Sequence, residues 1–221
     1  MKILAATLVL LTTLPACIIV VSDDGVEIDH ASRGSRASET RTVEPFHALS
    51  VATYADVGVR AGETQSVTVT GPADLLPFVR TLVHDGVLTI ELGPGAPPRS
   101  GRLNVQLSVP ALDAATLTGS GEVALANLAG PKLRLELSGS GGLRAGGSVE
   151  ELDVVLNGSG DVHAYGLDTR AARVRLCGSG DVELSARETL DAEIDGTGDV
   201  RYRGSPRVTH TVRGSGSVER H

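Results

Sequence analysis

The sequence predicts an all-β parallel solenoid, on three observations. The triplet Gly-Ser-Gly or Gly-Thr-Gly begins at Gly119, Gly139, Gly158, Gly178, Gly196 and Gly214, at spacings of 20, 19, 20, 18 and 18 residues. Two residues before each triplet stands Leu117, Leu137, Leu156, Leu176, Ile194 or Val212, and four before stands Ala115, Leu135, Val154, Val174, Ala192 or His210. Apolar side chains at every second position make a strand with one buried face. Aromatic residues are only 2% of 221 (Phe46, Phe78, Tyr54, Tyr165 and Tyr202), so the core must be narrow and filled by Val, Leu, Ile and Ala.

A unit of 18 to 20 residues has one apolar face and two open edges. Stacking the units closes those edges with parallel hydrogen bonds and merges the faces into one core. At about 4.8 Å per strand, six coils make a rod roughly 29 Å long. A sharp corner in each coil needs positive φ or close backbone approach, which glycine alone permits cheaply. The paired glycines of the triplets fit that role: Gly119 and Gly121, Gly139 and Gly141, Gly158 and Gly160, Gly178 and Gly180, Gly196 and Gly198, Gly214 and Gly216.

Taken in order, the chain opens with a targeting segment, residues 1–16. Met1-Lys2 is a one-charge start, and Ile3 to Leu14 is an apolar run of signal-peptide length, too short to span a membrane comfortably. Leu14-Pro15-Ala16-Cys17 resembles the bacterial lipobox, which implies cleavage before Cys17 and a diacylglycerol on its thiol. An ordinary secretory signal or an uncleaved anchor over Ile3 to Val21 are the alternatives. Ile18 after Cys17 is not the Asp that marks inner-membrane retention in some bacteria, which favours the outer membrane.

Residues 17–44 read as lipid anchor and polar tether, since from Ser22 to Glu44 neither structural period persists. Residues 45–221 are the head. Within it, 45–117 is strand-rich without triplets and reads as irregular first coils and a cap, whereas 118–221 holds the repeats. Asp56 to Val59, Ser66 to Thr70, Val87 to Leu92 and Leu103 to Val109 all alternate. His84-Asp85-Gly86 is a hairpin-type turn. Pro72 to Val83 is the one short helical candidate, limited by Pro77, and Gly93 to Gly101 is a surface loop.

The run of G-S-G-[DE]-V units behind a strand-rich opening, with Val109 to Leu112 before the first unit and Tyr202-Arg203-Gly204-Ser205-Pro206 near the end, resembles the head GIN domain family. The resemblance covers roughly Phe46 to the C-terminus. It implies a right-handed parallel β-helix on a bacterial envelope protein, often lipid-anchored or secreted, with an adhesin-like role. It carries no catalytic residues over.

Stacking would place the residues after the triplets in one column: Glu122, Gly142, Asp161, Asp181, Asp199 and Ser217. Carboxylates at about 5 Å repel, which raises pKa values or recruits a cation. Calcium is the candidate, with Asp161, Asp181, Asp199 and Glu122 as ligands. The bland alternative is that Asp and Glu follow Gly as solvated turn caps. Arg175 with Asp195 and Arg213 are candidate ladder partners across coils, and such pairs are more often surface stitching than catalysis. His210 stands where other coils place an apolar residue and is expected to be a capped, partly buried end-coil histidine.

Cys177 occupies a position filled elsewhere by Thr, Ser, Asn, Asp and Arg, and with Cys17 lipidated it has no partner for a disulfide. A net charge of −7 without a basic run excludes an electrostatic footprint for nucleic acid. No H-E-x-x-H, P-loop or CxxC occurs. The reading is a non-catalytic envelope head that binds a protein, a polysaccharide or a copy of itself. A structural or signalling lipoprotein with a partner protein is the alternative, and a polysaccharide-active enzyme is a third.

Overall fold

The computed structural model describes residues 35–97 and 101–221, together with the backbone of residues 19–22 and 25–28. Cys17 and the targeting segment lie outside the described residues, as do residues 98–100 of the Gly/Pro-rich loop. In chain order the strands are β1 (Ile19–Ser22), β2 (Gly25–Ile28), β3 (Arg36–Thr40), β4 (Ala48–Ala52), β5 (Asp56–Ala61) and β6 (Ser66–Pro72). After a single 3₁₀ turn (Leu76–Phe78) come β7 (Val79–His84), β8 (Val87–Leu92), β9 (Asn104–Val109), β10 (Ala114–Gly119) and β11 (Glu122–Gly139). The chain closes with β12 (Gly142–Gly158), β13 (Asp161–Gly178), β14 (Val182–Gly196), β15 (Val200–Arg203), β16 (Arg207–Gly214) and β17 (Val218–Arg220).

The molecule is the β-solenoid that the repeats predict. From β10 to β17 every pairing is parallel, each coil lying on the one before. The register aligns equivalent side chains into columns. One inward column runs Leu117, Leu137, Leu156, Leu176, Ile194 and Val212. A second, on the wall past the glycine corner, runs Val57, Val123, Leu143, Val162, Val182, Val200 and Val218. Leu156, Leu176, Val162 and Val182 are fully buried. Sealing one such side chain is worth about 1.5–3 kcal/mol, so columns of aliphatics supply cohesion without aromatic bulk.

The corners explain the glycines. Gly178 has φ of 140°, and a Cβ there would overlap the carbonyl oxygen of Gly158 in the coil below. Gly180 sits against Gly160 in the same way, so successive corners touch backbone to backbone. Hydrogen bonds such as Ser179 N–H to Gly158 O at 2.9 Å stitch corner to corner.

The N-terminal end is closed. β4 and β5 begin the parallel stack on β10 and β11, and β8 and β9 lie outside them in parallel. Antiparallel strands then finish the edges, β7 on β8, β6 on β9 and β3 on β6. Leu75, Leu76 and Val79 are buried under this cap. The predicted turn holds: Asp85 (φ 49°) and Gly86 (φ 74°) join β7 to β8 with both central residues left-handed.

Two expectations are corrected in this half. Pro72 to Val83 is not a helix: Pro77 confines helical geometry to Leu76–Phe78, and Val79 to His84 pairs with β8. Arg36 to Thr40, within the expected tether, is strand β3 against β6, with Ser38 Oγ 2.9 Å from Thr70 Oγ1.

Candidate binding face

The outward positions of β11 to β16 form one flat face, because i and i+2 residues of every coil point the same way and the register is in step. Its rows can be read coil by coil. β11 contributes Lys132, Arg134, Glu136 and Ser138, and β12 contributes Glu151, Asp153, Val155 and Asn157. β13 adds Ala171, Arg173, Arg175 and Cys177. β14 adds Thr189, Asp191, Glu193 and Asp195, and β16 adds Arg207, Thr209, Thr211 and Arg213. The sign alternates along the axis: mainly basic, acidic, basic, acidic, basic. Like-charged rows are therefore about 10 Å apart, with the opposite charge between.

Ion pairs between rows hold this pattern. Arg134 Nη1 donates to Asp153 Oδ2 at 2.8 Å, Arg173 Nε lies 3.5 Å from Asp191 Oδ2, and Arg213 Nη1 donates to Glu193 Oε1 at 3.0 Å. Hydrogen bonds to Glu193 and then Asp195 raise the Arg213 pKa above its ordinary value. Exposed pairs of this kind add little stability singly, and their effect is to fix side-chain positions. Ala171 and Thr189 are short, so between Lys132, Glu151, Asp153, Arg173 and Asp191 the face dips into a shallow depression of about 220 Å³.

The ladder expected of Arg175 with Asp195 is corrected by register. Arg175 stacks with Glu193, whereas Asp195 stacks between Cys177 and Arg213, 3.4 Å from the latter. Cys177 is exposed in the column Asn157, Cys177, Asp195.

The column after the triplets lies at the start of the wall past the glycine corner. Asp161 Oδ1 accepts the backbone N–H of Asp181, Asp181 Oδ1 that of Asp199, and Asp199 Oδ1 that of Ser217, each at 2.9 Å. Arg201 donates to the free oxygens of Asp181 and Asp199, both at 2.9 Å. The hydrogen bond to Asp181 leads the rise of the Arg201 pKa. Glu122 pairs with Arg144 instead. The expected repulsion is thus answered by backbone donors and one guanidinium. Among the described residues no three His, Cys, Asp or Glu side chains gather as a metal-ligand group.

Beside this column His163 Nδ1 lies 2.8 Å from Glu183 Oε2. Arg203 sits 4.1 Å over the Tyr165 ring, which stacks on His221 with centroids 5.5 Å apart. Burial pushes the Tyr165 phenol up, Glu183 adds to the rise, and Arg203 and Arg201 oppose it. His210 is exposed rather than capped, because no further coil covers it among the described residues. Sequence reasoning missed the charge banding, the Arg201 clamp and the Tyr165 cluster. The banding was available once the repeats were aligned and their odd positions read as a separate series.

A stack of parallel coils in register defines the class as a β-solenoid repeat protein. The profile described as "Putative auto-transporter adhesin, head GIN domain" matches residues 45–206, and the chain belongs to that family. Solved structures share the fold. A "putative adhesin" from Bacteroides fragilis is 20% identical with a TM-score of 0.65, covering 85% of this chain and 98% of that one. A "putative lipid binding protein" from Parabacteroides distasonis is 17% identical with a TM-score of 0.56, over 85% and 97%. A "putative adhesin" from Parabacteroides merdae is 21% identical with a TM-score of 0.54, over 85% and 97%. No curated protein matches the chain.

Proposed function

We propose that this chain is a lipid-anchored bacterial envelope protein whose solenoid head is a non-catalytic, adhesion-like binding module. The supporting observation is the charge-banded face: five successive coils place ionic side chains at fixed intervals on a rigid parallel ladder. A partner polymer or protein with a matching charge repeat meets many weak contacts already positioned, so less entropy is lost on binding. Enzyme sites are concave and combine apolar walls with a few convergent polar groups. The depression on this face is shallow, and its Asp153 and Asp191 are engaged by Arg134 and Arg173. Acylation of Cys17 would hold the head at a membrane surface, with the outer membrane favoured.

Adherence of cells displaying the wild type, Arg173→Glu/Arg175→Glu and Cys17→Ala tests this reading. Loss in both variants is expected; undiminished adherence of the double variant overturns the role of the face.

A further inference from the structure

The two ends of the solenoid differ. The N-terminal end is finished by antiparallel strands over buried leucines, whereas β16 pairs only with β14, and β17 only with β15, among the described residues. Among the described residues, the outer edges of β16 and β17 therefore carry backbone donors and acceptors with no strand beside them. Core side chains thin out there: Leu190, Ile194 and Val200 are buried, but Val208, Val212 and Val218, the next members of their columns, are half-buried. The end is also basic. From Val200 to His221 there are five arginines against one glutamate, in a chain whose net charge is −7. Two basic groups, His210 and Arg220, occupy the inward columns above Ala192 and Tyr202.

The alternation of rows gives this edge a sign. Rows β12 and β14 are acidic and rows β13 and β16 basic, so a strand added outside β16 continues the sequence only if it is acidic. Interior arginines show the arrangement such a strand would complete. Arg170 reaches Glu150 on the coil below at 3.0 Å and Glu188 on the coil above at 3.1 Å. Among the described residues, Arg213 has its ion-pair partners on the coil below, in Glu193 and Asp195.

We propose that the open edge of β16 and β17 is a docking site for an extended acidic segment of a partner protein. The segment pairs as an added strand, turning apolar residues onto Val208 and Val212 and Asp or Glu toward Arg207 and Arg213. Main-chain pairing supplies affinity, and the alternating side chains supply selectivity. This goes beyond adhesion by the flat face, with which it shares Arg207 and Arg213.

The probe is a fluorescent synthetic peptide of eight residues, the length of β16, alternating Val with Glu. Its anisotropy is followed on adding the full-length protein in detergent, beside a Val/Lys peptide and a backbone N-methylated Val/Glu peptide. The Val/Glu peptide should bind, weaken as salt rises, and lose at least tenfold on N-methylation. Arg207→Glu/Arg213→Glu should lose it by a similar factor and take the Val/Lys peptide instead. Equal binding of the Val/Glu and Val/Lys peptides, or full binding of the N-methylated one, overturns the proposal without any variant having to fold. Absence of binding also overturns it, and assigns His210 and the arginines to blunting the edge against aggregation. Cell adherence is measured separately, so failure of one result leaves the other readable.

Discussion

Asp181 lies one coil below Asp199, and its Oδ1 accepts the backbone N–H of Asp199 at 2.9 Å while Arg201 holds the outer oxygens of both. A file of carboxylates that would repel if bare is thereby turned into a hydrogen-bonded ladder. Asp181→Ala orphans the Asp199 amide and removes one arm of the clamp. The expected loss is about 1–3 kcal/mol, read by chemical denaturation. Asp181→Asn keeps an acceptor and should lose less.

The same ladder bears on calcium. With one oxygen of each Asp on a backbone amide, and Arg201 on the second oxygen of Asp181 and Asp199, the melting temperature should be the same in EDTA and in millimolar calcium. A ligand present at a hundred times its Kd stabilises by about 2.7 kcal/mol, so a clear rise with calcium would return the column to the metal.

At the corners, Gly180→Ala places a methyl group against the Gly160 carbonyl. Relief requires the coils to part, so a loss of about 1–3 kcal/mol or more is expected. Ser179→Ala, at the exposed tip of the same corner, should change stability by less than about 0.5 kcal/mol. Leu156→Ala, fully buried between Leu137 and Leu176, should cost about 2–5 kcal/mol. Similar losses at Gly180 and Ser179 would contradict the account of the corners.

Much of this was legible in the sequence because a repeat states its own register. Once Gly139, Gly158 and Gly178 are aligned, Leu137, Leu156 and Leu176 must share a column, and the inward wall follows. The cap was less legible. Val79 to His84 mixes strand and helix signals, and only its pairing with Val87 to Leu92 decides between them. Arg36 to Thr40 has no period of its own and is a strand because β6 offers an edge. His210 marks the opposite limit: its place in the core column was predicted correctly, but its burial depended on a neighbouring coil that local pattern does not describe.

Tyr165 offers a spectroscopic check of the wall past the glycine corner. Its phenol is raised above the ordinary value of 10.0 by burial first and Glu183 second. The folded state therefore favours the neutral ring. The stabilisation this gives is complete below the ordinary value and lost as pH rises through the folded one. Ultraviolet titration should show a tyrosine ionising later than a free phenol, and Tyr165→Phe should remove that late step. An unchanged titration curve in the variant would sink the assignment.

In-register stacking is the claim on which the columns, the bands and the open edge all rest. Cys177 lies beside Asn157 on the adjacent strand, whereas Ser138 is two coils away. Adjacent strands are about 4.8 Å apart and alternate ones about 9.6 Å, and a disulfide needs Cα atoms within about 7 Å. In a Cys17→Ala background under mild oxidation, Asn157→Cys should close an intramolecular disulfide with Cys177, and Ser138→Cys should remain a free thiol. Failure of Asn157→Cys to close, or equal closure of Ser138→Cys, would contradict the stacked register.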